Sequence, residues 1–138
     1  MRIRQWLLWG DVAFYLGVFV VALFVAPHTS AWWFGVVTAI VTFPLWILAR
    51  VQLGSAFSFK PEARHLVTTG LYSKLRHPVY VFGTIAGLAS LLALQIWPIL
   101  ALGVALLGIT LFRVRREEKL LEKVFGREYV EYRQRTWF

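Results

Sequence analysis

Leu66-Val67-Thr68-Thr69-Gly70-Leu71-Tyr72-Ser73-Lys74-Leu75-Arg76-His77-Pro78-Val79-Tyr80-Val81-Phe82-Gly83 gathers two tyrosines, an arginine and a histidine, then opens onto a run with no charged residue before Arg113. In a chain this apolar, such a polar knot belongs where water meets hydrocarbon. Pro78 suits the first turn of a helix, where its missing N–H is not needed. The residue before a proline is pushed toward extended backbone, so His77 is predicted at the mouth of the helix rather than inside it. A helix N-terminus offers unpaired N–H groups and the positive end of a dipole, both suited to a carboxylate or phosphate. Arg76 and His77 add donors at the same point.

Outward from this stretch, four runs are uncharged or nearly so: Trp6–Ala26, Ala31–Ala49, Val79–Gln95 and Ile96–Phe112. The first two hold 21 and 19 residues and the last two 17 each, against the roughly 20 helical residues that cross a bilayer. The last two read as a tight helical hairpin turned at Trp97-Pro98, in a locally thinned membrane. With 59% hydrophobic and 16% charged residues in 138, a soluble domain could not bury its apolar surface. The predicted fold class is all-α: a polytopic membrane protein, one domain over 1–138, with four transmembrane helices and a cytoplasmic amphipathic helix at the C-terminal end. The first run is long and lacks a small-residue cleavage site, so a cleavable signal peptide is not expected.

The charges sort by side. All 15 Lys and Arg lie at Arg2 and Arg4, in the loop Arg50–Arg76, or from Arg113 onward, while Pro27–Ser30 and Gln95–Pro98 carry none. With four spans the three basic regions share one face, and the positive-inside rule puts both termini and the loop 50–78 in the cytoplasm. The net charge of +8 then points to anionic lipid headgroups rather than nucleic acid. With no cysteine, disulfides and thiolate metal sites are excluded. His28, His65 and His77 are not at ligand spacing, so no metal is expected.

Asp11 is the one acid within a span. A carboxylate there is by default a functional hypothesis, unless it pairs with an arginine near the cytoplasmic interface. Gly83, Gly87, Ser90 and Ala93 form a small-residue stripe for close helix packing, within the chain or in a homodimer. Beyond Phe112, apolar Leu120, Leu121, Val124 and Phe125 recur at helical spacing until Gly126 breaks the pattern. This tail, 113–138, reads as a helix continuous with the fourth span, then a shorter piece folding back. If the last two spans form a hairpin, Pro78 and Phe112 share a depth. His77, Tyr80, Arg113 and Glu117 should then be near neighbours, rimming a space open to lipid. Glu118 reads as part of the solvated face, and Tyr129 and Tyr132 as packing residues of a lid.

Thr68-Thr69-Gly70-Leu71-Tyr72, then Arg76-His77-Pro78-Val79-Tyr80, then Glu117-Glu118 through Phe125-Gly126-Arg127-Glu128-Tyr129-Val130-Glu131-Tyr132 resembles the isoprenylcysteine carboxyl methyltransferase and phospholipid N-methyltransferase superfamily, over roughly Leu66 to Tyr132. The resemblance implies an integral membrane enzyme that uses S-adenosylmethionine, releases S-adenosylhomocysteine and methylates a lipid or other hydrophobic small molecule. It implies cofactor contacts at His65, Leu66, Val67, Tyr72, His77, Pro78, Val79, Tyr80 and Glu117, with Arg113 binding the substrate and Arg113 and Glu117 as the catalytic pair. Phe82 stands where the family pattern has glycine, so its ring would fill space near the cofactor or turn outward to lipid. Two other readings remain: a small four-helix multidrug transporter coupled to protons through Asp11, and a non-catalytic membrane subunit.

Overall fold

The described part of each of the four apolar runs is helical in the computed structural model, which describes residues 9–54 and 66–138. In chain order the helices are α1 (Gly10–Val25), α2 (Ser30–Leu53), a 3-10 turn (Gly70–Ser73), α3 (Pro78–Leu94), α4 (Trp97–Ala105), α5 (Leu107–Phe125) and α6 (Arg127–Arg135). Among the described residues the fold is all-helical, and its one extended pairing is an isolated bridge between Leu75 and Trp137. Two stretches are long and apolar enough to cross a membrane, α2 with 24 residues and the α4–α5 rod Trp97–Phe125 with 29. Helices α1 and α3 are apolar but shorter.

Local chemistry sets the ends. Thr29 caps α2, its hydroxyl accepting from the Trp32 N–H at 3.3 Å. Gln95 closes α3 in the left-handed region, at φ 60°, and Pro98 starts α4 where its missing N–H costs nothing. The expected hairpin is there, with Gly103 of α4 set against Leu91 and Leu88 of α3. The predicted fourth span is two helices meeting at Leu106, after which α5 runs unbroken past Phe112 to Phe125. Gly126, at φ +51°, turns the chain into α6.

One boundary differs from the sequence reading. Residues 6–8 of the first run lie outside the described residues, within which α1 begins at Gly10. Helix α2 continues four residues past Ala49, so Arg50 is part of a helix rather than of the loop, and it is only 4% exposed. A cation is held there because Asp11 takes both ends of its guanidinium, Nη1 to Oδ1 at 2.8 Å and Nη2 to Oδ2 at 2.6 Å. The Trp9 and Trp46 rings stand on it with centroids 5.5 and 5.2 Å away.

Helix α3 is the centre of the bundle. Its small residues let neighbours in: a Cβ at Gly83 would meet the Trp46 indole of α2 at 2.6 Å, and one at Gly87 would meet the Tyr15 ring of α1 at 3.1 Å. From the other side, a Cβ at Gly35 of α2 would lie 2.7 Å from the backbone of both Ala89 and Ala93. Gly83 and Gly87 of the small-residue stripe are therefore used for packing inside the chain. Outward-facing side chains are apolar, Phe24, Phe34 and Phe112 among them, and α4 buries no residue. Such a surface suits hydrocarbon rather than water.

The two uncharged turns meet at one end of the bundle. The Thr29 hydroxyl donates to Gln95 Oε1 at 2.8 Å, and Gln95 Nε2 donates to the Pro27 carbonyl at 2.6 Å. The Asp11–Arg50 pair and the Leu66–Tyr80 stretch are at the other end.

Candidate active site at the charged end of the bundle

The polar stretch is tied down from both sides. Gln52, in the last turn of α2, accepts the Leu71 N–H at 2.8 Å, and the Tyr72 hydroxyl donates to the Ala49 carbonyl at 3.3 Å. From the tail, the Tyr132 hydroxyl donates to the Tyr72 carbonyl at 2.6 Å. The residues after α6 lie along Lys74–Arg76: the Trp137 N–H donates to the Lys74 carbonyl and the Arg76 N–H to the Phe138 carbonyl, both at 2.8 Å. The Phe138 ring stands edge-on to His77, centroids 6.3 Å apart. Tail and loop thus enclose the mouth of α3.

His77 occupies that mouth as the reading from Pro78 requires, at φ −128° and ψ 52° in the N-cap position with Pro78 behind it. Its side chain makes no capping bond, so it does not merely cap the helix. It is 5% exposed. The Tyr80 hydroxyl donates to Glu117 Oε1 at 2.5 Å, joining α3 to α5. His77 lies beside the Tyr80 ring, centroids 6.1 Å apart. The predicted meeting of His77, Tyr80 and Glu117 is therefore in place. Arg113, one turn before Glu117, has an exposed side chain and acts on Glu117 through its charge.

Glu118 departs from its expected place on a solvated face. Its Oε1 lies 3.0 Å from Arg76 Nε and 3.5 Å from His77 Nε2. Adjacent residues on a helix point about 100° apart, and here both directions are used: Glu117 reaches Tyr80 and Glu118 reaches Arg76 and His77. No periodicity distinguishes such a residue from a solvated one; the contacts with Arg76 and His77 do.

Burial sets the electrostatics. It pushes the Glu117 carboxyl above the usual range, against the opposing pull of the Tyr80 hydrogen bond and the Arg113 charge. It also lowers the His77 pKa, the Glu118 carboxylate opposing it, so the imidazole is held toward its neutral form. The Tyr72 phenol is driven up, first by burial and then by its neighbours Tyr132 and Glu117.

The remaining predicted positions divide. His65 lies outside the described residues. Leu66 is half-buried, Val67 packs against the core, and Pro78 and Val79 are buried within the bundle. Tyr72 is buried with its hydroxyl committed to Ala49. Phe82 packs on the helical core rather than facing lipid. Among the described residues no group of side chains could hold a metal ion.

A family model described as phospholipid methyltransferase matches residues 30–128. The chain belongs to this family. As a phospholipid methyltransferase family member, it carries the family match from the first residue of α2, whereas the sequence reading confined the resemblance to Leu66–Tyr132. It is similar to a protein-S-isoprenylcysteine O-methyltransferase of Dictyostelium discoideum, 30% identical over 115 residues, 78% of this chain and 48% of that one. It is also similar to protein-S-isoprenylcysteine O-methyltransferase B of Arabidopsis thaliana, 34% identical over 115 residues, 76% of this chain and 58% of that one. The chain thus spans about half the length of the curated relatives it matches. No solved structure shows a significant match. The transporter reading loses its support: the family is one of methyltransferases, and the carboxylate it needed is bound twice by Arg50.

Proposed function

We propose that this chain is an integral membrane methyltransferase that carries a methyl group from S-adenosylmethionine to a lipophilic acceptor at the cytoplasmic leaflet. The 138 residues act as one membrane-embedded unit of four spans, about 6–26, 31–49, 79–95 and 96–112, with both termini and the polar loop in the cytoplasm. The contact of the two uncharged turns supports this topology, because among the described residues Arg50, Lys74 and Arg76 lie toward the opposite end.

The observation that carries the function is the Tyr80–Glu117 hydrogen bond beside buried His77, at the charged end of a family member's bundle. The donor set fits the cofactor. A buried carboxyl, an imidazole held toward neutrality and the Tyr80 ring suit a cationic sulfonium nucleoside better than they suit a simple anion. When bound, S-adenosylmethionine supplies an activated methyl whose transfer breaks one S–C bond and leaves a thioether. The protein's part is alignment and exclusion of water. His77 and Tyr80 line the mouth, the half-buried Leu66–Val67 and buried Pro78–Val79 segments position it, and the Arg113 guanidinium holds an anionic acceptor group.

The relatives are named for isoprenylcysteine and the family for phospholipid, so the acceptors in view are a prenylcysteine carboxylate, a phospholipid amine and a small hydrophobic thiol. A carboxylate oxygen takes the methyl without losing a proton. An amine or thiol must lose one, and Glu117, with its raised pKa, is placed to receive it. The test is methyl transfer from labelled S-adenosylmethionine by purified protein, offered total membrane lipid and a prenylcysteine in parallel. Label is expected in one organic-phase product, and Glu117→Ala is expected to cut it about 10- to 100-fold, the weight of a hydrogen bond to a charged group. Folded wild-type protein that labels no fraction would refute the assignment.

A further inference from the structure

The residues after α6 are tied to the polar loop through their backbone. The Trp137 N–H donates to the Lys74 carbonyl and the Arg76 N–H to the Phe138 carbonyl, both at 2.8 Å. Thr136 is buried, its hydroxyl donating to the Tyr132 carbonyl at 2.9 Å, and the Phe138 ring meets His77. The Trp137 indole is the exception. It is 78% exposed on a backbone held to the loop. Packing inside the chain does not account for an indole so placed. Its depth does. Pro78 opens α3 shortly after Arg76, so Trp137 stands where the apolar bundle gives way to the polar stretch. Tryptophan, with an apolar ring and one N–H, favours that level in a bilayer.

The charges beside it select the partner. Lys74 is exposed, and so are Arg133 and Arg135 in the last turn of α6. Among the described residues Lys74 and Arg135 pair with no carboxylate. Arg133 lies 3.7 Å from Glu122, both side chains half-exposed, a pair of little weight. The α6 acids, Glu128 and Glu131, stand nearer the Gly126 elbow. Cations with so little opposing charge, set around an interfacial aromatic, match an anionic leaflet. We propose that Lys74, Arg133, Arg135 and Trp137 form an anchor for anionic phospholipid, the indole lying at headgroup depth and the cations meeting the phosphates. The anchor rests on the topology proposed above and not on the methyltransferase chemistry. It seats the segment that holds Phe138 against His77, so anionic lipid steadies the cover over the mouth of α3.

The test is hydrogen exchange at the Trp137 and Arg76 amides, which bridge this joint. The purified full chain is placed in nanodiscs of phosphatidylcholine alone, and of equal parts phosphatidylcholine and phosphatidylglycerol. Exchange at both amides is expected to be about tenfold slower in the anionic disc, with exchange inside α3 the same in both. Trp137→Ala should remove most of that difference, and Trp137→Tyr should keep it, since tyrosine also belongs at the interface. Arg133→Gln combined with Arg135→Gln should remove it as well. Arg127→Gln, at the far end of α6, takes away a charge outside the anchor and should leave it intact. Equal exchange in the two discs overturns the proposal, as does a lipid effect that survives either Trp137→Ala or the paired arginine substitution. An equal loss with Arg127→Gln also overturns it, because net charge alone would then account for the attraction.

Discussion

Gly35→Val is expected to unfold the bundle at temperatures where the wild-type protein is intact, a loss of about 3 kcal/mol. The cause is backbone, not side chain. A Cβ at Gly35 would lie 2.7 Å from the Ala89 carbonyl oxygen and 2.7 Å from the Ala93 nitrogen, and neither atom can swing away as a flexible side chain would. Helices α2 and α3 would have to separate along their length, and Trp46 would lose its seat on Gly83. Because α3 starts at Pro78, that shift would carry into the site. Gly17→Ala is the control: nothing lies within 4 Å of its Cβ position, so the substitution should be neutral or stabilising by about 0.5–1 kcal/mol. Thermal unfolding in detergent reads both. A Gly35→Val protein melting with the wild type would mean that α2 and α3 do not pack as described.

Asp11→Ala is the second large effect, about 2–3 kcal/mol of stability. Removing one partner of a buried ion pair ordinarily costs 3–5 kcal/mol, and the figure is reduced because the Asp11 side chain is 40% exposed while Arg50 is 4% exposed. The substitution leaves a guanidinium among the Trp9 and Trp46 rings without the carboxylate that neutralised it. Asp11→Asn should cost less, since the amide oxygen still accepts one N–H. Replacing both partners, Asp11→Leu with Arg50→Leu, should recover part of the loss, because two apolar side chains leave no charge stranded. A double variant no more stable than Asp11→Ala alone would show that Arg50 holds the bundle through other contacts.

These two sites show what the sequence could carry. In the sequence Asp11 reads as an interfacial acid awaiting an arginine, but Arg50 reads as loop because a charge ordinarily ends an apolar run. Helix α2 instead continues to Leu53, since a carboxylate and two indoles make the cation tolerable inside it. The hairpin and the His77–Tyr80–Glu117 meeting were legible because they depend on spacing: equal run lengths on either side of Trp97-Pro98 return the chain to the same depth. The placement of Glu118 was not legible, because it depends on ion pairing with Arg76 and His77 from a loop distant in sequence. Such a pairing has no period to read. Gly35 was missed for a different reason: a lone glycine in an apolar run signals close approach only when the helix facing it is known.

The central claim is that the charged end of this bundle holds S-adenosylmethionine against Tyr80 and Glu117. Titration calorimetry of S-adenosylhomocysteine into purified, folded protein tests it most directly. The account predicts saturable single-site binding, weakened about 10- to 100-fold by Glu117→Ala and left unchanged by Gly17→Ala. Folded wild-type protein with no saturable binding, or binding indifferent to both Glu117→Ala and Tyr80→Phe, would contradict it.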